Sequence, residues 1–162
     1  MLFRSTDLDP EGMLIEGFDE LSTLALIYNH PYYPEHLAQM GYVKDTDWLE
    51  YEIQVPNPPH EKIAKASEMV MKRYNLHFLE LKKKKDLLNH AMELFELIDA
   101  EYSHLYGTMP LTDPQKQAYI DQYFGFVSLD LVPLLLDQHN KMVGFAIAMP
   151  SLSKALQKSQ GR

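Results

Sequence analysis

Leu87, Leu88, Ala91, Leu94, Phe95, Ile98, Tyr102 and Leu105 recur at helical spacing as far as Gly107, and no other feature restricts the fold of this chain so strongly. The run predicts one amphipathic helix of about five turns at 3.6 residues each. Such a stripe must be buried against another layer of structure. The sequence supplies candidates on both sides. Residues 76–81 read as a strand closed by Lys82, Lys83, Lys84 and Lys85. Downstream, residues 131–136 and 142–149 are apolar runs separated by Asp137-Gln138-His139-Asn140-Lys141, a polar turn of hairpin length. Thr112 with Gln115 three residues later forms a capping box that starts a further helix running to about Tyr123, before Gly125. Pro133 predicts a free edge for the first strand of the hairpin.

The N-terminal third reads differently. Residues 1–30 hold the turn signal Asp9-Pro10-Glu11-Gly12 and short apolar runs without sustained order. A short helix is expected over 34–41, with proline at its start, Glu35 in its first turn and Gly41 as its stop. Leu49, Tyr51, Ile53 and Val55 alternate with Glu50, Glu52 and Gln54, the period-two pattern of a half-buried strand. That strand runs into Pro56-Asn57-Pro58-Pro59, where proline removes ladder donors and restricts the backbone. The organisation expected is a first module over 1–55, a Pro-rich linker over 56–60 and a second module over 61–162. The second module opens with a helix carrying Ile63, Ala66, Val70 and Tyr74 on one face. A short polar helix over 152–158 ends the chain, with Ser151 as its cap. The fold class is α/β (α+β), with a mixed, mostly antiparallel sheet and flanking helices.

Composition excludes several partners and chemistries. With 15 Lys plus Arg against 23 Asp plus Glu, the net charge of -8 repels nucleic acid and anionic lipid. No apolar run reaches the roughly 20 residues that span a bilayer. The absence of cysteine removes disulfides and thiolate chemistry and fits a reducing, cytoplasmic compartment. No two of the seven glycines stand closer than five positions, so the chain carries no glycine-rich turn to cradle a phosphate-bearing cofactor. Asp7, Asp9, Glu11 and Gly12 imitate the start of a calcium loop, but its twelfth position would be Phe18, which cannot ligate. His30, Glu35 and His36 read as part of an aromatic elbow with Tyr28, Tyr32 and Tyr33 rather than as a metal site, because adjacent Glu35 and His36 point differently on a helix. Ser151 and Ser153 lack flanking nucleophile-elbow glycines. The four lysines 82–85 read as a solvated turn. No metal, cofactor or catalytic residue is assigned.

Tyr28-Asn29-His30-Pro31-Tyr32-Tyr33-Pro34-Glu35-His36, followed by Gly41-Tyr42 and Asp47-Trp48, resembles a family of bacterial proteins with two consecutive modules of the GNAT N-acetyltransferase superfamily. Arg73-Tyr74-Asn75-Leu76, Leu105-Tyr106-Gly107, Pro110-Leu111-Thr112, Val143-Gly144-Phe145 and the stretch from Met149-Pro150-Ser151 to Lys154-Ala155-Leu156 resemble the opening of the second module. The resemblance implies the end of one module joined to the first half of the next, in the order strand, two helices, antiparallel strands. It implies transfer of an acetyl group from acetyl-coenzyme A to an amine, with an acceptor-side surface at Tyr102, Tyr106 and Tyr119. The pyrophosphate loop of the superfamily is expected beyond Arg162, and its equivalent in the first module upstream of Met1. The thiolate-protonating tyrosine would fall at Leu37, so no general acid carries over. The isolated chain is therefore expected to be inactive and not to hold acetyl-coenzyme A, and the alternative is a non-catalytic interaction or scaffolding module. Tyr32, Tyr33 and Trp48 are expected to expose apolar area, which makes the rest of the GNAT-like modules, or a self-association partner, the expected company of the chain.

Overall fold

The computed structural model of the chain describes residues 12–23 and 26–160. The turn at Asp9-Pro10-Glu11 and the calcium-loop positions before Gly12 lie outside them. The backbone divides into two compact units, Met1–Ile53 with Pro150–Arg162, and Gln54–Met149.

In the first unit, helix α1 spans Tyr32–Gln39, two residues earlier than expected, because Pro31 rather than Pro34 stands at its N-cap. Its end is a Schellman closure: Tyr42 donates to the Leu37 carbonyl and Gly41 to that of Ala38, with Gly41 at φ +86°. Only a residue without Cβ adopts that conformation cheaply. Ahead of α1, Asn29 clamps residue 14 from both sides. It accepts from the Leu14 N–H at 2.7 Å and donates to the Leu14 carbonyl at 3.1 Å. The aromatic elbow is present. The ring of His30 stacks on Tyr32 at 5.7 Å, and Tyr32 packs against Tyr33 and His36.

The strand expected at 49–55 does not form. The segment takes no regular structure, and Leu49, Tyr51, Ile53 and Val55 are 72%, 73%, 76% and 83% exposed. Alternating apolar residues make a strand only where another strand accepts their backbone and a layer covers their face. The linker that follows contains a cis peptide between Asn57 and Pro58.

The second unit holds helix α2 (Glu61–Arg73), strand β1 (His77–Phe78), helices α3 (Lys84–Leu88), α4 (Ala91–Tyr102) and α5 (Asp113–Tyr123), and strands β2 (Leu134–Leu136) and β3 (Met142–Phe145). Helix α2 buries none of its residues, and its apolar face leaves Ile63 and Val70 exposed. It stops as α1 does, with Asn75 at φ 51° and Leu76 donating to Met71. The single long helix expected over 87–105 is two. Asp86 accepts from the N–H groups of Lys82 and Lys83, so the first begins at Lys84, ahead of the apolar run. Asn89 and His90 then break the helix, and after Tyr102 the chain turns through Ser103 toward Gly107. The Thr112 box is as expected, with Gln115 Oε1 accepting from the Thr112 N–H at 3.0 Å.

The sheet is antiparallel in the order β1-β2-β3, with His77 opposite Leu136 and Leu134 opposite Phe145. A bulge lies opposite Leu135 and Leu136, and beyond it the ladder continues as Ala146 donates to Pro133 and Ala148 to Leu131. The free edge expected from Pro133 is not found, since β2 is the central strand. Pro133 stands just before the strand and needs only its carbonyl there. The last helix of the described residues, α6 (Ser153–Ser159), belongs to the first unit, and its N-cap is Leu152 rather than the expected Ser151. The fold class is therefore a mixed α/β arrangement with a small three-stranded antiparallel sheet.

One face of the sheet meets the helices. Leu134, Leu136 and Met142 are buried there with Leu87, Ala91, Leu94 and Phe95 of α3 and α4, and with Ile120 and Phe124 at the end of α5. Leu134→Ala is therefore expected to cost about 3 kcal/mol in chemical denaturation, because it opens a cavity. Ile53→Ala, in the exposed segment, should stay within about 0.5 kcal/mol.

Candidate functional site

The polar chemistry of the second unit gathers at three places around the sheet. The first joins α4 to β3. Glu93 faces away from the solvent side of α4, and its Oε1 accepts from the Met142 N–H at 2.7 Å, while Oε2 lies 3.1 Å from His90 Nδ1. That N–H, with the nearby imidazole, holds the Glu93 carboxyl below the usual carboxylate range. A carboxylate so engaged positions a strand; it is a poor general base at neutral pH.

The second place is a pair between α4 and α5. Lys116 is buried, and its Nζ lies 2.6 Å from Asp99 Oδ2, while Asp99 Oδ1 accepts from the Leu111 N–H at 3.3 Å. Lys116, Ile120 and Phe124 are four residues apart and face the core together. An ammonium on such a stripe requires a carboxylate partner.

The third is the turn between β2 and β3. Asp137 Oδ1 accepts from the N–H groups of His139 and Lys141 at 2.8 and 2.9 Å, with Asn140 at φ 61°. The Lys141 N–H first, and that of His139 next, hold its carboxyl below the usual range. Beside this turn lies an open groove of about 420 Å³, lined by Tyr74, Leu76, Leu135, Asp137, Gln138 and Val143. Asn75 donates to Gln138 across its rim at 3.2 Å, and the Arg73 guanidinium lies over the Tyr74 ring at 5.5 Å. The turn offers two converging N–H groups, and both are taken by Asp137. It is no anion cradle in this arrangement.

The three tyrosines of the expected acceptor-side surface occupy the α4–α5 side. Tyr102 ends α4 and Tyr106 lies in the turn after it, both nearly half exposed. Tyr119 is part-buried in α5, within an aromatic row in which it meets Phe95 at 6.4 Å and Tyr123 at 6.0 Å. Sequence reading missed Glu93, Asp99 and Asp137. For Lys116 a signal existed, a charge at the spacing of Ile120 and Phe124. For Glu93 there was none, because its acceptor role depends on a strand 49 residues away.

Among the described residues no three His, Cys, Asp or Glu side chains converge as a metal site, and no helix is long and apolar enough to cross a membrane. No protein-family model matches the sequence, and no solved structure matches it. Protein YghO of Escherichia coli (strain K12) is 22% identical over 151 residues, a match covering 93% of this chain and 38% of that protein. The chain thus spans less than two fifths of the length of this relative.

Two outcomes follow for the anchors. A folded carboxyl held low adds stability that is present above its unfolded pKa and is lost as pH falls through the folded one. Glu93→Gln should therefore flatten the loss of melting temperature below about pH 4.3 without abolishing folding. For the ion pair, Asp99→Ala should cost about 2 kcal/mol or more, since it strands a buried ammonium, while Lys116→Met should cost less; denaturation of both variants and of the double variant checks this.

Proposed function

We propose that this chain is a segment of a GNAT-like N-acyltransferase, carrying the end of one module and the first half of the next, and is not itself a complete catalyst. The observation that supports the reading is the element order of the second unit. A strand, three helices and an antiparallel hairpin follow one another as β1, α3 to α5, β2 and β3, where the resemblance implies two helices; the extra one comes from the division of the run 84–102 into α3 and α4. In this reading Tyr102, Tyr106 and Tyr119 lie on the side that meets the amine acceptor. The reaction is attack of that amine on the thioester of acetyl-coenzyme A, with the proton passing to water or a carboxylate and the thiolate leaving.

A second reading, a non-catalytic interaction module, draws support from the apolar side chains left exposed. Phe78 is 61% exposed on the open face of the sheet, besides the exposed side chains of Leu49, Tyr51, Ile53 and Val55. The two readings part at the coding DNA beyond codon 162. A continuing frame that encodes a fourth strand and a loop of the form Gln or Arg, two residues, Gly, one residue, Gly or Ala is expected for the enzyme; a stop codon there favours the module.

The cofactor supplies a direct measurement. The pyrophosphate needs converging N–H groups. No close glycine pair provides them in these 162 residues, the turn N–H groups are spent on Asp137, and a net charge of -8 opposes a diphosphate. Calorimetry of this chain with acetyl-coenzyme A should show no saturable heat, and a melting scan with excess ligand no shift. A low micromolar Kd would overturn the assignment of the chain as lacking the cofactor site.

A further inference from the structure

Three backbone donors at the entry to β3 are held by two carboxylates from two different elements. The N–H groups of His139 and Lys141 both go to Asp137 Oδ1, at 2.8 and 2.9 Å, and that of Met142 goes to Glu93 Oε1 on α4, at 2.7 Å. The register passes from Met142 opposite Leu136 to Gly144 opposite Leu135. Val143 is therefore the extra residue of the bulge, and the ladder is interrupted where the Met142 N–H turns to α4. Both carboxylates sit among positive charge. Glu93 faces His90 of its own helix and Lys141 of the turn, and Asp137 faces His139 and Lys141. Each carboxyl is held below the usual range, first of all by the N–H groups it accepts from.

We infer that the turn and the entry to β3 form a proton-operated clasp: residues 139–142 come free together when Glu93 and Asp137 are both neutral, and the helical layer stays folded. A charged acceptor holds an N–H roughly twice as strongly as a neutral one, so protonation weakens each hold without changing its shape. Lys141 and Met142 are neighbours in the chain and are anchored to different carboxylates. While one carboxylate keeps its charge, the adjacent peptide stays anchored and the clasp stays shut. The hold is full above the ordinary carboxylate range, about pH 4, and is lost as pH falls through the lower folded values. Charge on His90, His139 or Lys141 works with the clasp, because each favours the ionised form of the carboxylate it faces. Asp137, Gln138 and Val143 wall the groove beside the turn, so opening reshapes that groove. The device does not depend on any acyl-transfer chemistry.

The amide resonances of His139, Lys141 and Met142 in nitrogen-15 spectra of the full chain test the clasp. In the wild type all three should shift in one transition below about pH 4 that takes up two protons, while the amides of α4 and α5 keep their native positions. Glu93→Gln and Asp137→Asn imitate the protonated carboxyls. Each alone should leave the clasp shut at neutral pH and move its opening to higher pH, with one proton taken up. The double variant should be open at neutral pH with α4 and α5 intact. Separate midpoints for Met142 and for the other two amides, each indifferent to the other carboxylate, would overturn the clasp. So would a double variant that keeps all three amides in place or loses α4 and α5 as well, or a wild type in which the three move only with the amides of those helices.

Discussion

Three short strands present two faces, and the chain has apolar helix surface packed on one of them. Leu134, Leu136 and Met142 meet α3, α4 and α5 on the covered face, while Phe78 and Val143 remain exposed. Each fully buried leucine contributes about 1.5–3 kcal/mol, against roughly 1 kcal/mol net for a hydrogen bond. The layer is thus held by apolar contact. Glu93 and the Lys116–Asp99 pair add little to its total energy, and they fix which residues lie opposite one another. Met142 cannot slide along β2 without giving up the Glu93 carboxylate.

What the sequence made legible was local. The stop at Gly41, the Thr112 box and the hairpin around residues 137–141 each rest on contacts within a few residues, and each is found in the structure. The readings that failed needed distant information. Nothing within residues 49–55 says that no strand lies beside them, and nothing in Pro133 says that β1 will pair on its other side. The helix over 87–105 was legible as a stripe, because Leu87 and Leu94 do face one core, but not as two helices, because Asn89 and His90 interrupt it without glycine or proline. Of the candidate site, the tyrosines were visible by type alone. The carboxylates that organise the strands became visible only with the chain folded.

The carboxylates also shape the functional reading. Glu93 and Asp137 are occupied as acceptors for backbone N–H groups, so the groups that most resemble catalytic bases in this unit serve as fasteners. Chemistry of the proposed kind would then depend on proton acceptors other than these two.

The pairing of β1 with β2 brings His77 to Leu136, across 59 positions of chain, whereas β2 and β3 are joined by a five-residue turn. Loop closure on that scale comes late, after local contacts have formed. The helices and the hairpin can assemble first, leaving β1 to dock as a short, two-residue strand with few contacts to lose. Native-state hydrogen exchange in such a unit begins at its most distant strand, so the amides beside residues 77–79 form the weak seam along which the sheet opens.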